Sequence, residues 1–230
     1  MKIYGDSDSI SVRNKIYIIG GPASREMYEV DFKNNKLIQM ESMLTPKYRH
    51  ALCHAKNCIY SIGGYNDTKS LKDCEKYSIV QNNWRTLPKL RSARRLCAAF
   101  TFNDTYLYCL CGHGICGRLN SMEMKNIEYG EWIYVNVLNM LSPRDCIHGI
   151  QLNKNEVIVF GGNDISRMDD CYILNMVGAI ECRRACDLWI KSAFRHSASP
   201  VNDGVYVYGC DVEGSIHIYS MKSKRWTCVY

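Results

Sequence analysis

The sequence predicts an all-β protein, a propeller of about five four-stranded blades. A run of alternating apolar residues that stops at a glycine pair, or at a pair with one glycine, occurs five times along the chain. Each copy is followed by a second and a third short apolar run, with polar turns between the runs. This pattern is typical of short strands, and a sheet this small cannot bury both of its faces alone. The units must therefore stack, and radial stacking gives a propeller.

Each repeat contains a strand that ends at glycine. The five runs are KIYIIGG, CIYSIGG, YLYCLCG, VIVFGG and VYVYGC, and the first member of each pair stands at position 20, 63, 111, 161 or 209. Glycine is expected where a strand turns sharply in a crowded place, because a side chain there would clash or require a forbidden φ. Cys111 and Cys210 each replace one glycine, which indicates that one member of the pair is dispensable.

The later strands of each unit are marked by large side chains. The run after each glycine pair has a tyrosine or a methionine, at Tyr28, Tyr77, Met124, Tyr172 and Tyr219. The next run has tryptophan in four copies, at Trp84, Trp132, Trp189 and Trp226, with Leu37 in the first copy. An indole side chain contributes most to the stability of a fold when it is buried. We therefore expect the tryptophans to fill the wedges between adjacent blades.

Composition places the chain among ordinary globular proteins. Of its 230 residues, 23% are charged and 47% are hydrophobic. No apolar run approaches the roughly 18 to 20 residues that span a bilayer, and the N-terminal MKIYGDSDS is too polar for a signal peptide. We therefore expect a cytoplasmic protein without a membrane partner, in which the 13 cysteines are free thiols.

The turn before each glycine-terminated strand completes the repeat. It reads MLTPK at 43–47, LRSAR at 90–94 and MLSPR at 140–144. Together with the Gly-Gly, Tyr and Trp positions, these turns resemble the kelch repeat, from about residue 8 to the end of the chain. The resemblance implies a kelch-type β-propeller in a single domain, 1–230, with blades at about 8–43, 44–90, 91–141, 142–194 and 195–230.

The number of blades departs from the family pattern. Kelch rings usually close with six or seven blades, and only five repeats are recognisable here. Either the chain is a truncated six-bladed ring, with residues 1–7 as the remnant of another blade, or the ring is five-bladed, open, or completed by a partner. An open ring would expose strand edges, which favours association, so the sequence leaves the oligomeric state undecided.

The resemblance also implies a binding face, lined by the loops after the glycine pairs and by basic residues at the mouth of the central channel. Arg49 and Arg195 each lie 14 residues before the first position of a pair, Lys47 lies 16 before, and Arg94 and Arg144 lie 17 before. Five cations at one opening would form a receptor for carboxylates. The alternative is that these cations bridge adjacent blades and are solvated.

Five further residues directly follow glycine pairs and should lie in the same loops: Tyr65, Asn66, His113, Asn163 and Asp164. Loop residues at the rim of a rigid scaffold often determine specificity. Asn and Asp in turns also serve only the backbone.

Three other chemistries find little support. Cys109, Cys111, His113 and Cys116 lack the C-x2-C spacing of structural zinc sites, so no metal or other cofactor is expected. The basic run at 89–95 lacks the interleaved aromatic residues of a nucleic-acid stacking platform. The net charge of +6 is also too small by itself to indicate nucleic acid. No phosphate loop, nucleophile elbow or paired-carboxylate motif is present.

These observations predict a non-enzymatic protein-interaction module. We expect it to bind an acidic or polar peptide segment of a protein partner on the basic face, as a substrate adaptor or a cytoskeletal scaffold. The alternative is an enzyme that modifies a small molecule in the central pocket.

Overall fold

The computed structural model describes residues 6–164, 170–187, 197–201, 204–208 and 216–228. Every regular element in these ranges is a β-strand, and the 21 strands form five sheets. The all-β propeller architecture expected from the repeat is confirmed.

Within each sheet, neighbouring strands are consecutive in the chain, with one exception in the fourth sheet. The first sheet contains β1 (Asp8–Val12), β2 (Lys15–Ile19), β3 (Met27–Asp31) and β4 (Lys36–Gln39), and the second contains β5 (Ala51–Ala55), β6 (Cys58–Ile62), β7 (Cys74–Ser78) and β8 (Asn83–Leu87). The third contains β9 (Ala98–Phe102), β10 (Tyr106–Leu110), β11 (Met122–Asn126) and β12 (Ile133–Val135). The fourth contains β13 (Val137–Leu138), β14 (His148–Gln151), β15 (Glu156–Phe160), β16 (Asp170–Asn175) and β17 (Ile180–Asp187), and the fifth contains β18 (Ser197–Val201), β19 (Gly204–Tyr208), β20 (Ile216–Ser220) and β21 (Arg225–Cys228).

Each sheet is a blade whose first full strand lies next to the axis. Strand β1 contacts β5, β5 contacts β9, β9 contacts β14, and β14 contacts β18. The strand β13 is an addition to this plan, because it pairs in parallel with β17 at the outer edge of the fourth blade. It lies within the range 91–141 that was expected for the third blade, so the chain changes sheets before that range ends.

Four buried clusters fill the four seams between consecutive blades. We call the face of a blade that packs on the following blade its leading face, and the face that packs on the preceding blade its trailing face. In the first seam, the leading face of the first blade meets the trailing face of the second, with side chains from Tyr17, Ile19, Met27, Ile59, Tyr77 and Trp84. The other three clusters use mostly the same positions in later blades.

The tryptophans lie in these seams. The indole N–H of Trp84 donates to the carbonyl of Glu41, and that of Trp132 donates to the carbonyl of Pro88, both at 3.0 Å. Each ring therefore joins its own outer strand to the segment that leads in from the preceding blade. Trp226 packs against Phe160 of the fourth blade, with ring centroids 5.5 Å apart.

The fourth blade has a cysteine, Cys182, at the register position that Trp84 occupies in the second blade. Trp189 lies outside the described residues. Cys182 pairs with Leu174 as Trp84 pairs with Tyr77, and it is buried in the cluster of the third seam. In the first blade Leu37 holds the equivalent place opposite Val30.

The glycine pairs are required by two constraints. Gly63 has φ +63°, and a Cβ atom there would lie 2.3 Å from the carbonyl oxygen of Arg94 in the next blade. The backbone N–H of Gly64 donates to that same oxygen at 2.9 Å. Cys111 adopts the same left-handed conformation, with φ 57°, so the third blade accepts a side chain at the first position of the pair.

We predict that Trp132→Ala lowers the free energy of unfolding by about 3 to 5 kcal/mol, as large aromatic truncations in cores do. Trp132 is fully buried and its N–H is hydrogen-bonded across the seam. The measurement is urea denaturation followed by circular dichroism. Ile133→Ala, at a neighbouring side chain that is 49% exposed, is the control and should cost about 0.5 kcal/mol or less. A loss below about 1 kcal/mol for Trp132→Ala would contradict the wedge role.

Candidate functional site

The turns that enter the inner strands of the second, third and fourth blades are each built around a basic residue. The backbone carbonyl of this residue accepts a hydrogen bond from the second glycine of the preceding blade. The three pairs are Gly21 to Lys47 at 3.2 Å, Gly64 to Arg94 at 2.9 Å, and Gly112 to Arg144 at 2.8 Å. The backbone of the basic residue thus joins its blade to the one before it.

The side chain of the same basic residue pairs with a carboxylate inside its own blade. Arg94 donates to Glu123 on β11 at 2.6 Å and to the carbonyl of Cys111 at 2.8 Å. Glu123 also accepts the backbone N–H groups of Arg91 and Ser92, so it holds the start of the turn as well. The second blade repeats this arrangement with Lys47 and Glu75, whose charged atoms lie 3.5 Å apart.

The fourth blade reaches the same result with different residues. By register, Tyr172 occupies the position of Glu75 and Glu123. The carboxylate comes instead from Asp170, two residues earlier, which accepts from Arg144 at 3.1 Å and from the Tyr172 hydroxyl at 2.9 Å.

These contacts correct one expectation from the sequence. Lys47, Arg94 and Arg144 were expected at the mouth of the channel, but their side chains are 0%, 0% and 1% exposed. They are neither solvated nor available to a partner, because each is paired with a carboxylate inside its own blade. The offset from the glycine pair located the turn correctly but not the side of the turn on which the side chain lies.

We call the face of the propeller that is lined by the loops after the glycine pairs the loop face. The residue after each buried cation lies on this face. Tyr48, Arg95 and Asp145 each exchange two backbone hydrogen bonds with the residue that follows a glycine pair. The partners are Tyr65, His113 and Asn163, respectively. The structure therefore brings the sequence-predicted Tyr65, His113 and Asn163 to one face. It adds three residues that the sequence analysis did not single out.

Arg95 is the charged centre of this face between the second and third blades. Its guanidinium lies 4.4 Å above the ring of Tyr65, and Nη1 donates to Ser70 Oγ at 3.1 Å. The Ser70 hydroxyl is held in turn by the carbonyl of His113 at 2.8 Å. Within the described ranges Arg95 has no carboxylate partner, so its position is fixed by neutral groups while its charge is uncompensated.

The next seam has the opposite character. Asp145 is buried, and its Oδ2 lies 3.2 Å from His113 Nδ1 and 3.1 Å from Arg118 Nε. The carboxylate and the Arg118 guanidinium compensate each other. The face is therefore of mixed charge, with an ordered cation at Arg95 and a buried carboxylate at Asp145.

The remaining predicted residues have separate environments. Arg49 lies next to the axis, where it is partly exposed and 3.7 Å from Asp6. Asn66 serves its own turn, because its Oδ1 accepts from the Thr68 hydroxyl at 2.8 Å and from the backbone of residue 69 at 3.1 Å. Asp164 directly follows Asn163 in the chain and is partly exposed. Arg195 lies outside the described residues.

The basic run at 89–95 is divided among three places. Arg94 is buried and Arg95 lies on the loop face, as described above. Lys89 and Arg91 line an open groove of about 370 Å³ at the outer end of the second seam, together with Lys72, Leu90, Glu131, Trp132 and Tyr134. Lys89 is paired there with Asp73 at 3.0 Å.

A serine, a histidine and an aspartate line up between the first two blades. Ser61 Oγ lies 3.0 Å from His50 Nδ1, and His50 Nε2 lies 3.5 Å from Asp8 Oδ2. The order of the groups is that of a hydrolase triad, but Ser61 is fully buried. A nucleophile must reach a substrate, so this array does not form an acyl-transfer site.

Burial sets the protonation of this array. Burial, and then the charge of Lys47, lowers the pKa of His50 to about 3. Burial raises the pKa of Asp8 to about 8, since its Oδ2 is enclosed even though a third of the side chain reaches solvent. Both groups are therefore neutral at pH 7.

The described cysteines that the sequence analysis considered as metal ligands lie in separate environments. No group of three or more metal-ligating side chains occurs within the ranges that the structure describes. Cys109 and Cys111 are buried in the seams while Cys116 is exposed at a loop tip, and burial raises the pKa of Cys111 to about 12. In the same part of the chain, no helix is long and apolar enough to cross a membrane.

We predict that Arg94→Met lowers the free energy of unfolding by about 3 to 5 kcal/mol, because it leaves Glu123 charged and buried without its partner. Chemical denaturation of Arg94→Met, Glu123→Gln and the double variant completes a double-mutant cycle. The double variant should lose clearly less than the sum of the single losses. Additive losses would show that the pair does not act as a unit.

We predict that Asp8→Asn is more stable than the wild type at pH 7 to 8, and that this advantage disappears towards pH 4. The native state holds the proton on Asp8 up to about pH 8, whereas the unfolded chain releases it near its usual pKa of 3.8. The wild type therefore loses stability as the pH rises through this window, and asparagine does not. Denaturation at several pH values provides the measurement. A constant difference between the two proteins would refute the assignment.

Comparison with known proteins agrees with this geometry. Residues 7–210 match the family model described as KLHDC2/KLHL20/DRC7 Kelch-repeats domain. The chain is 24% identical over 240 residues to Kelch-like protein 38 of Homo sapiens, which covers 96% of this chain and 40% of that protein. It is 29% identical over 108 residues to Kelch-like protein 7 of Mus musculus, covering 46% and 18%, respectively.

A viral relative is similar over a stretch of intermediate length. The chain is 28% identical over 140 residues to Kelch repeat and BTB domain-containing protein 2 of cowpox virus strain GRI-90, covering 57% of this chain and 23% of that protein. The chain thus spans 40% or less of the length of these relatives. Because the family model covers most of its residues, the chain belongs to the kelch-repeat family.

Proposed function

We propose that this chain is a protein-interaction module that binds an acidic or polar peptide segment on its loop face. The observation that favours this function most is the environment of Arg95. Its guanidinium is held over Tyr65 and against Ser70, and within the described residues no carboxylate neutralises it. A carboxylate from a partner would provide the missing charge and form short, charge-assisted hydrogen bonds.

The surroundings of Arg95 favour binding in a second way. A side chain that is already ordered loses little conformational entropy when a ligand arrives, so more of the contact energy remains for affinity. The backbone bridges to Tyr65 and His113 hold the loops on both sides in place. The loop face is therefore a rigid surface with one charged anchor, and Arg49 near the axis is a second cation for a longer acidic segment.

The family supports a role as an adaptor or a scaffold without catalysis. Relatives of this chain are longer proteins, and the name of the cowpox relative includes a BTB domain beside the kelch repeats. We propose that this propeller acts in the cytoplasm as the recognition part of such an assembly, either as a substrate adaptor or as a cytoskeletal scaffold. Binding is favoured over catalysis because Ser61, the nucleophile of the buried array, is inaccessible.

We predict that Arg95→Glu weakens the binding of acidic peptides by about tenfold or more, which corresponds to about 1.4 kcal/mol. The probe is an array of short Asp- and Glu-rich peptides with matched Lys-rich and Ser-rich peptides. Fluorescence anisotropy then measures the affinity of the best acidic peptide. Arg85→Glu is the matched control, because Arg85 is exposed on the outer strand of the second blade and its side chain donates a hydrogen bond to Gln81.

The result separates three possibilities. Loss of binding for Arg95→Glu and retention for Arg85→Glu supports the proposed face. Equal losses for both variants indicate a diffuse response to net charge, and unchanged binding by Arg95→Glu places the peptide elsewhere. A wild type that prefers neutral or basic peptides would overturn the proposed ligand class.

A further inference from the structure

The groove at the outer end of the second seam carries positive charge that the loop-face site does not use. Lys72, Lys89 and Arg91 line it, and the buried side chains of Leu90 and Trp132 form its floor. The three basic side chains are exposed. The groove therefore offers several cations to a ligand above an apolar base.

Most of this positive charge is uncompensated. Lys89 lies 3.0 Å from Asp73, and Glu131 contributes a carboxylate to the lining. In the ranges that the structure describes, neither Lys72 nor Arg91 is paired with a carboxylate. An anionic ligand would therefore find partners in the groove that the protein itself does not occupy.

Arg91 is already positioned for such a ligand. Its guanidinium lies over the ring of Tyr134, 5.9 Å from the centroid, and the Tyr134 hydroxyl is 2.7 Å from Ser92 Oγ. The backbone N–H of Arg91 donates to Glu123 at 2.7 Å, which fixes the start of the side chain. A cation that is held in this way loses little conformational freedom when a carboxylate binds it.

The neighbouring seams show that the fold does not need these cations. Leu44 corresponds to Arg91, because its backbone N–H donates to Glu75 as that of Arg91 donates to Glu123. Leu141, three residues before the buried cation of its turn, has this place in the third seam. At the places of Lys72, Lys89 and Tyr134, the first seam has Arg25, Ser42 and Thr86, and the third has Asn120, Asn139 and Arg184. Each neighbouring seam thus packs with one cation where the second seam has three.

The groove continues the loop-face site outward along the same seam. Arg95 Nη1 donates to Ser70 Oγ, and the backbone N–H of Leu90 donates to the carbonyl of Lys72 at 2.9 Å. The loop of the second blade and the turn of the third blade therefore run side by side from one site to the other. Since four residues of chain span at most about 14 Å, the Cα atoms of Arg91 and Arg95 are no farther apart than that.

We propose that the groove is a second subsite for the same peptide partner and binds an acidic stretch beyond the one held at Arg95. This inference rests on the proposed binding at the loop face and defines the ligand more narrowly. The partner segment has two acidic stretches separated by about four to six residues, a spacing whose flexible reach matches the distance between the cations. Once the first stretch is bound, the second contact is intramolecular, so the affinity of the whole segment rises.

Fluorescence anisotropy with two labelled peptides of equal length tests the proposal. The short-motif peptide has one Asp-Glu-Asp stretch in a Gly-Ser background, and the long-motif peptide has a second such stretch after a six-residue Gly-Ser linker. The wild type should bind the long-motif peptide about tenfold more tightly. This gain exceeds the roughly twofold statistical advantage of carrying two stretches.

A double variant removes the groove cations without adding negative charge. Arg91→Gln together with Lys72→Gln should reduce the gain to about twofold or less and leave the affinity for the short-motif peptide nearly unchanged, because Arg95 is intact. The matched control is Lys33→Gln together with Lys36→Gln, which changes the net charge equally at exposed positions of the first blade. It should keep the tenfold gain.

Hydrogen exchange gives a readout without substitutions. The long-motif peptide should slow exchange in residues 89–92 and in β12 of the wild type more than the short-motif peptide does at equal saturation. Equal protection by the two peptides would contradict a contact in the groove.

The outcomes separate this inference from the proposed function. Equal affinity of the wild type for the two peptides, with both lost in Arg95→Glu, would overturn the groove and leave binding at the loop face in place. Binding of the long-motif peptide that survives Arg95→Glu but not the groove variant would support the groove and overturn the anchor at Arg95. Equal losses in the groove variant and its control would assign the gain to net charge and overturn the groove. If neither peptide binds, both proposals are overturned.

Discussion

The structure depends on one recurring turn in which a buried basic residue makes two contacts, one through its backbone and one through its side chain. Its carbonyl accepts a glycine N–H from the preceding blade, and its side chain meets a carboxylate in its own blade, as Arg94 does with Gly64 and Glu123. A Cβ atom on Gly63, the residue before this donor, would lie only 2.3 Å from that carbonyl oxygen. The same few atoms therefore set the spacing between blades and close each blade. The seams and the loop face both follow from this geometry.

Burying charge is costly, and replacing such a pair by apolar side chains is often neutral or even stabilising. We interpret the repeated pair as a device that selects one arrangement of blades, because only the correct register brings cation and carboxylate together. The fourth blade supports this interpretation. There a tyrosine occupies the glutamate position, and Asp170 supplies the carboxylate from two residues earlier on the same strand. The contact is kept although the residue that provides it has moved.

The sequence was sufficient to predict the strands, the blades and the tryptophan wedges, because they depend on periodic apolar residues that any unit must repeat. It was not sufficient to place individual cations. Spacing along the chain does not distinguish Arg94 from Arg95, although one is buried and the other lies on the face. The alternation of side chains in extended backbone would have separated them once the buried partner Glu123 was known. In the fourth blade the register places Cys182 at the position that tryptophan holds in the second blade, and the expected wedge at Trp189 lies outside the described residues.

The loop face is a property of the seams and not of single blades. Arg95 belongs to the third blade, but the ring beneath it and the hydroxyl beside it belong to the second. Asp145 likewise belongs to the fourth blade and meets His113 and Arg118 of the third. A ligand that contacts such a pair interacts with two blades at once, so its binding energy also stabilises the seam below it. Recognition on the loop face therefore depends on how one blade fits the next.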